Sequence, residues 1–103
     1  FPGAYTPTLA EMMEVFGPRD FSVLDVENLR LHYAQTLRHW LARFEEHADD
    51  IERMFDDRFV RMWRQYLAGS VATFETGIYQ LYQVVFNRKG ENNIPWTREY
   101  MYR

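Results

Sequence analysis

The sequence lacks cysteine altogether, among 103 residues. This absence excludes a disulfide framework, a thiolate nucleophile and a cysteine zinc site within these residues, and it is compatible with a reducing cytoplasm. A surplus of positive charge is also missing: 12 basic residues face 15 acidic ones, for a net charge of -3. Nucleic acid is therefore not an expected partner. No apolar run approaches the roughly 18 residues of a membrane-spanning helix.

Sequence motifs for cofactors, metals and nucleophiles are scarce as well. The five glycines are scattered and none forms a Gly-x-Gly turn between a strand and a helix, so no nucleotide loop is predicted in these residues. His32, His39 and His47 are seven and eight residues apart, whereas metal-binding pairs on a helix are usually three or four apart. Ser70 lacks the glycines of a nucleophile elbow. Neither a metal site nor a serine nucleophile is predicted.

What the sequence has is apolar material, at 47% of the residues, with 17% aromatic. Such a chain must bury much of its surface, so it is not a disordered segment. Seven acidic residues between positions 45 and 57 have no calcium-loop spacing. We interpret them as a solvated helical face with salt bridges to Arg43, Arg53 and Arg58.

Hydrophobic spacing and turn residues predict four helical segments, two strands and a tail. A helix over residues 9–16 is capped by Thr8 and Glu11 and stopped by Gly17-Pro18. A strand over 21–29 has apolar residues on both faces, with a helix as the competing interpretation. Helices follow over 33–46, around 49–55 and from 57 to the C-cap Gly77, then a strand over 78–86. The tail 90–103 runs over the surface, with its aromatic residues packed on the body or flexible.

Two strands alone do not form a stable sheet, so we expect both to pair with strands outside this chain. The chain is then part of a larger α/β domain, and Phe1-Pro2-Gly3 is the end of a strand that begins earlier. The stripe Phe59, Trp63, Tyr66 and Phe74 has two interpretations. It is either ordinary helix core or the wall of a pocket for an acyl chain.

Several segments resemble the cyclopropane-fatty-acid synthase and mycolic acid cyclopropane synthase family. They are residues 1–8, residues 25–37 with Trp40, Arg43 and Phe44, residues 57–63 with Tyr66 and Leu67, and residues 80–86. The resemblance implies the C-terminal part of the class I S-adenosylmethionine-dependent methyltransferase (Rossmann-like) fold, helix-rich, with the sixth and seventh strands of its sheet. Residues 1–88 would belong to the methyltransferase domain and 89–103 would form a C-terminal tail.

The resemblance also implies a reaction: methyl transfer from S-adenosylmethionine to a cis double bond of a phospholipid acyl chain. Bound bicarbonate then takes a proton from the new methyl group, and a cyclopropane ring closes. Tyr33 is similar to the family tyrosine that helps to hold the bicarbonate, and His32 is a second candidate beside it. S-adenosylmethionine itself would bind outside this segment. Ser70 stands where some members have cysteine, so no thiol chemistry is expected there.

The implied partners are unsaturated phospholipid acyl chains, reached by peripheral contact at the cytoplasmic face of the membrane, and a homodimer is compatible with this. Alone, the chain is expected to be inactive. Two alternatives stay open. One is a related acyl-lipid methyltransferase that leaves a methyl branch, and the other is a stand-alone helical interaction module, which would unfold cooperatively on its own.

Overall fold

The computed structural model describes residues 3–102. Its elements, in chain order, are α1 (Leu9–Met13), a 3-10 helix (Gly17–Arg19), β1 (Phe21–Asn28), α2 (Arg30–Glu46), α3 (Ala48–Met54), α4 (Asp57–Thr76), β2 (Tyr82–Arg88) and a second 3-10 helix (Arg98–Tyr102). The described chain is thus helix-rich with two strands, as the sequence predicts. The strand end predicted at Phe1-Pro2-Gly3 falls on Phe1 and Pro2, which lie outside the described residues.

Contacts divide the chain into two compact units. The first contains the chain up to residue 26 and from residue 84 onward, and the second contains residues 27–83. In the first unit, α1 begins at the predicted capping box. The Thr8 hydroxyl accepts from the Glu11 N–H at 3.2 Å, and the Glu11 carboxylate accepts from the Thr8 N–H at 3.1 Å. This reciprocal pair satisfies two amides that the first helical turn leaves without partners.

The first helix is shorter than the sequence indicates. It ends at Met13, and residues 14–16 continue as tighter turns in which the Val15 and Phe16 amides bond to carbonyls three residues back. Helix ends commonly tighten in this way, and sequence patterns place them only to within a few residues. Gly17-Pro18 opens the following 3-10 helix instead of stopping α1.

The two strands form one two-stranded sheet. In the first unit the Lys89 amide donates to the Asp20 carbonyl at 2.8 Å, and in the second the Leu29 amide donates to the Leu81 carbonyl at 2.7 Å. Sequence positions rise along β1 as they fall along β2, so the pair is antiparallel. The expectation that neither strand has a neighbour within the chain is therefore wrong. Residues 21–25 are all half-buried, which agrees with a strand that carries apolar residues on both faces.

The core of the second unit lies between α2 and α4, which pack along each other. Leu37 and Phe44 of α2 meet Val60 and Leu67 of α4, and each of these side chains is at most 7% exposed. The seven-residue spacing of Leu37 and Phe44, and of Val60 and Leu67, places each pair on one helix face. Trp63 and Phe74 of the stripe predicted along α4 pack against this core, whereas Tyr66 of that stripe is 45% exposed and Val60 was not part of it.

Element boundaries differ from the prediction mainly where turns intervene. The helix predicted from residue 33 begins at Arg30, because Asn28 supports its first turn with a side-chain hydrogen bond to the Arg30 amide at 3.1 Å. The strand predicted from residue 78 begins at Tyr82. Gly77 is the C-cap of α4, with a φ of 83°, the left-handed conformation that glycine adopts without strain.

The tail is held by an ion pair but does not bury its tryptophan. Within the first unit, Arg98 pairs with Asp25 of β1, whose side chain is only 11% exposed. Trp96 is 100% exposed and Tyr102 is 68% exposed. The prediction that the tail's aromatic residues pack on the body is therefore wrong for Trp96, since the anchoring contact is ionic and does not involve the indole.

Candidate functional site

Tyr33 lies in the first turn of α2, with its ring enclosed by two other aromatic rings. The Phe74 ring of α4 meets it edge-on at a centroid distance of 4.8 Å, and the Trp40 ring meets it edge-on at 6.0 Å. Both contacts have the T-shaped geometry that aromatic quadrupoles favour. The Tyr33 hydroxyl has no hydrogen-bond partner among residues 3–102, so it is available to donate to a bound anion.

The start of α2 is fixed to the end of α4 by Arg30. Its guanidinium is partly buried and donates to the Phe74 carbonyl at 3.0 Å and to the Glu75 carbonyl at 2.9 Å. These carbonyls belong to the last turn of a helix, where backbone acceptors lack intrahelical partners and cations are favoured. Tyr33 follows Arg30 by about one helical turn, so both residues contact the same end of α4.

The sequence analysis missed Arg30, which lies within the segment that resembles the family. Its contacts with α4 are separated from it by 44 and 45 positions, and no local pattern encodes such a contact. A basic residue in the first turn of a helix interacts unfavourably with the helix dipole. This unfavourable placement is the one feature of the sequence that indicates a tertiary contact for Arg30.

His32 lies beside Tyr33 in the chain but does not share its surroundings. Its side chain is exposed, and its backbone carbonyl accepts from the Thr36 hydroxyl at 3.3 Å. Successive residues on a helix point about 100° apart, which explains why Tyr33 faces α4 and His32 does not. Neither site assignment is tested by these positions, and both stay predictions.

The four aromatic residues proposed for an acyl pocket fall into two groups. Three of them form a ladder along α4, extended by Phe55. Centroid distances are 4.4 Å from Phe55 to Phe59, 6.1 Å from Phe59 to Trp63 and 5.0 Å from Trp63 to Tyr66. Phe74 lies apart from this ladder, between Tyr33 and Tyr79. Phe74 therefore belongs with the candidate anion-binding tyrosine.

An open groove of about 340 Å³ lies between α2, α3 and α4 in the second unit. Its lining combines apolar and aromatic side chains with two basic ones: Trp40, Arg43, Phe44, His47, Ile51, Trp63 and Leu67. A second groove of about 370 Å³ is lined by Phe55, Asp56, Arg58, Phe59 and Met62. Trp63 and Phe59 thus line different grooves, and Tyr66 is 45% exposed.

Two ion pairs connect α2 and α4. Arg38 pairs with Glu75, and Arg64 pairs with Glu45. The hydrogen bond from Arg64 lowers the pKa of the Glu45 carboxyl below its ordinary value. Both pairs are substantially exposed, so each contributes little to stability by itself.

The acidic run forms salt bridges with partly different arginines from those predicted, since Arg53 takes part as expected and Arg61 and Arg64 take part in place of Arg43 and Arg58. Arg53 pairs with Asp50 as expected, and Arg61 pairs with Asp57, whose pKa is lowered by that hydrogen bond. Arg43 and Arg58 have no ion pair within the described part of the chain. In residues 3–102, no three His, Asp or Glu side chains converge as metal ligands would.

The described residues do not fit a nucleotide cofactor. Gly69 lies inside α4, Gly77 ends it, and none of the glycines in residues 3–102 links the end of a strand to the start of a helix. The backbone turn that would receive a cofactor's charged groups is therefore not found among them. Of the described helices, none is both long enough and apolar enough to cross a bilayer.

Comparison with known proteins defines the class. The family model for mycolic acid cyclopropane synthetase matches residues 1–84, which include the junction between β1 and α2. The chain belongs to this family. The matched region contains Arg30, Tyr33 and the α2–α4 core, so the geometry described above lies in a family segment.

Individual relatives extend the match toward the C-terminus. A probable fatty acid methyltransferase of Pseudomonas putida is 38% identical over 100% of this chain and 27% of its own length. The tuberculostearic acid methyltransferase of Mycobacterium tuberculosis is 38% identical over 87% of this chain and 22% of its own. The cyclopropane-fatty-acyl-phospholipid synthase of Escherichia coli is 32% identical over 95% of this chain and 25% of its own length. The chain spans about a quarter of the length of these relatives.

Proposed function

We propose that this chain is part of an S-adenosylmethionine-dependent enzyme that adds a methylene across the cis double bond of an unsaturated phospholipid acyl chain. S-adenosylmethionine, bound by other parts of a class I methyltransferase fold, supplies an electrophilic methyl group. The observation that carries this proposal is the family match over residues 1–84, supported by the relative named as a cyclopropane synthase. The protein would act at the cytoplasmic face of the membrane, where its substrate lies.

In this proposal the chain's own residues serve the second half of the reaction. Methyl addition leaves a cation on the acyl chain, and the ring closes when a base takes a proton from the new methyl group. Aromatic faces stabilise cations, and a dry site protects them from water. The rings of Tyr33, Trp40 and Phe74 supply such faces in one cluster.

Tyr33 would hold the base, which we propose is bicarbonate. A phenol donates one hydrogen bond to an anion, and the Tyr33 hydroxyl has no competing partner in the described residues. Its ring is fixed by Phe74, and α2 is fixed by Arg30. His32 remains a proposed neighbour of the site, and Phe59, Trp63 and Tyr66 remain proposed contacts of the acyl chain.

The substitution Tyr33→Phe in the full-length protein tests this role. Losing a hydrogen bond to an anion costs about 1.5–3 kcal/mol. We therefore expect kcat/KM for bicarbonate to fall by roughly ten- to a hundredfold, with the KM for S-adenosylmethionine little changed. Tyr79→Phe is a matched control, because it removes the hydroxyl of another tyrosine that packs on Phe74, with centroids 6.1 Å apart. Equal bicarbonate dependence in both variants would remove Tyr33 from the site.

A second product is favoured by a specific observation. The relatives at 38% identity are named as methyltransferases of fatty acid and of tuberculostearic acid, whereas the one named as a cyclopropane synthase is at 32%. The alternative is therefore an acyl-lipid methyltransferase in which the cation takes a hydride from a donor outside this chain, such as a reduced nicotinamide or flavin, and is left with a methyl branch in place of a ring. Proton NMR of lipids from cells expressing the full-length gene distinguishes the two, since ring protons and a branch methyl resonate in different regions.

A further inference from the structure

The tail after β2 exposes a concentration of aromatic and apolar side chains. Trp96 is 100% exposed, Tyr102 68%, Tyr100 40% and Ile94 37%. Tryptophan is rarely so accessible, because its large ring gains much from burial. All four residues follow residue 84, where the family match ends, and the second unit contains none of them.

The charge of this segment is opposite to that of the rest of the chain. Residues 88–102 contain three of the 12 basic residues and two of the 15 acidic residues, for a net charge of +1, and Arg103 adds a further positive charge in the sequence. The preceding 87 residues therefore carry -5. Arg88 and Lys89 are exposed at the end of β2 and form no ion pair within residues 3–102. An anionic surface would attract the tail and repel the rest of the chain.

The chain beside the exposed tryptophan is held in place. Arg98, two residues beyond Trp96, donates to both oxygens of the Asp25 carboxylate, at 2.6 Å and 3.1 Å. A two-point contact between a guanidinium and a carboxylate fixes orientation as well as distance. Trp96 is thus presented next to an anchored point of the first unit, which lowers the entropy that binding would require.

We propose that residues 88–102 form an interfacial anchor that binds anionic phospholipid bilayers, with the Trp96 indole inserted among the head groups. This inference rests on the proposed function, which requires the protein to reach acyl chains in a membrane. Trp and Tyr favour the membrane interface because they combine an apolar ring with a polar group. Basic residues beside them add attraction to anionic lipids.

Another exposed apolar surface of the chain is less suited to this role. Met54 is 73% exposed and Phe55 is 60% exposed. Among residues 51–58, three acidic residues outnumber the two basic ones, Arg53 and Arg58, so this stretch has a net charge of -1 and lacks the positive charge that anionic lipids attract. Exposure alone therefore does not identify the anchor, and the coincidence of exposed aromatic residues with positive charge does.

The test uses the full-length protein and sedimentation with vesicles of diphytanoyl phosphatidylglycerol and phosphatidylethanolamine. These lipids are fluid but have no double bond, so binding is measured without turnover. We expect Trp96→Ala to lower the partition coefficient about tenfold, corresponding to about 1.4 kcal/mol. Met54→Ala, which removes a 73% exposed apolar side chain from a stretch of net negative charge, should leave it unchanged. Replacing Arg88 and Lys89 by Gln should abolish the preference for these vesicles over diphytanoyl phosphatidylcholine.

Acrylamide quenching of the unbound protein reports what covers Trp96. The proposal expects a strongly quenched component that is present in the wild type and absent from Trp96→Phe. A Trp96 shielded without vesicles would mean that another part of the protein or a second copy occupies the tail, and would overturn the anchor. So would equal vesicle binding by the wild type and Trp96→Ala.

The proposed function can fail separately. Weakened vesicle binding by Trp96→Ala, together with no methylated lipid from the wild type, would leave the anchor standing and remove the enzyme activity. If the wild type produces methylated lipid but Trp96→Ala binds vesicles as well as the wild type does, the enzyme activity stands and the anchor is refuted.

Discussion

Removing the Arg30 guanidinium should loosen the start of α2 and disturb Tyr33. In the structure Arg30 makes two charge-assisted hydrogen bonds to the last turn of α4, at 3.0 Å and 2.9 Å. Hydrogen bonds of this kind contribute about 1.5–3 kcal/mol each when buried. Since this guanidinium is only partly buried, we take about 1 kcal/mol for each, or about 2 kcal/mol for Arg30→Ala.

Hydrogen exchange of the full-length protein measures this effect where it arises. A loss of about 2 kcal/mol corresponds to roughly thirtyfold faster exchange of the amides that follow Arg30, including that of Tyr33. Amides at the other end of α2, near Phe44, should change much less. Arg30→Lys is the matched control, because a lysine keeps the charge but lacks the planar guanidinium whose Nη1 donates both hydrogen bonds. It should recover part of the protection.

The same variant should affect catalysis through Tyr33. If Arg30 positions the ring on Phe74, Arg30→Ala should lower kcat/KM for bicarbonate, in the same direction as Tyr33→Phe but by a smaller factor. Unchanged exchange at Tyr33 would refute the positioning role. Faster amide exchange at Tyr33 in Arg30→Ala, together with an unchanged kcat/KM for bicarbonate, would show that the position of Tyr33 does not affect bicarbonate use.

Two other predictions concern the contact between α2 and α4. Leu67→Ala removes a side chain that is 3% exposed and should lower the local free energy of unfolding by about 3 kcal/mol, whereas Leu31→Ala, at a site 60% exposed, should change it by less than about 0.5 kcal/mol. Amide exchange of both helices measures the two variants, and similar values would contradict the assigned core. The Glu45–Arg64 pair should make stability depend on pH. Because the folded-state pKa of Glu45 lies below its ordinary value of 4.5, the pair stabilises fully above that value and is lost as the pH falls through the folded pKa. Acidification should therefore lower the free energy of unfolding, measured in urea, more for the wild type than for Glu45→Gln. If the free energies of the two proteins fall in parallel with pH, the pair does not contribute to the pH dependence.

The sequence predicted those parts of the fold that local patterns encode. The capping box at Thr8 and Glu11, the C-cap at Gly77 and the apolar faces of α2 and α4 all depend on residues within a few positions of one another. Contacts across long separations were not predictable in this way. The pairing of β1 with β2 and the contact of Arg30 with Phe74 join residues more than 40 positions apart.

The candidate site shows the same division. Tyr33 was named by resemblance to a family, and its placement against Phe74 could not be read from the sequence, because that contact depends on how two helices pack. The aromatic stripe of α4 was predicted as one group. The structure separates Phe74 from Phe59, Trp63 and Tyr66, since a helix of 20 residues presents its two ends to different neighbours. Trp96 was expected to be packed, because composition alone favours burial of tryptophan.

The fate of the transferred methyl group tests the central claim most directly. The full-length protein would be incubated with S-adenosylmethionine carrying a CD₃ group, bicarbonate and phospholipid vesicles with cis-monounsaturated chains, and the lipids analysed by mass spectrometry. Cyclopropanation with loss of a proton from the new methyl group predicts a ring that contains CD₂. A product that retains CD₃ would contradict ring closure and favour the methyl-branched alternative, and lipid with no deuterium would contradict the assignment as a lipid methyltransferase.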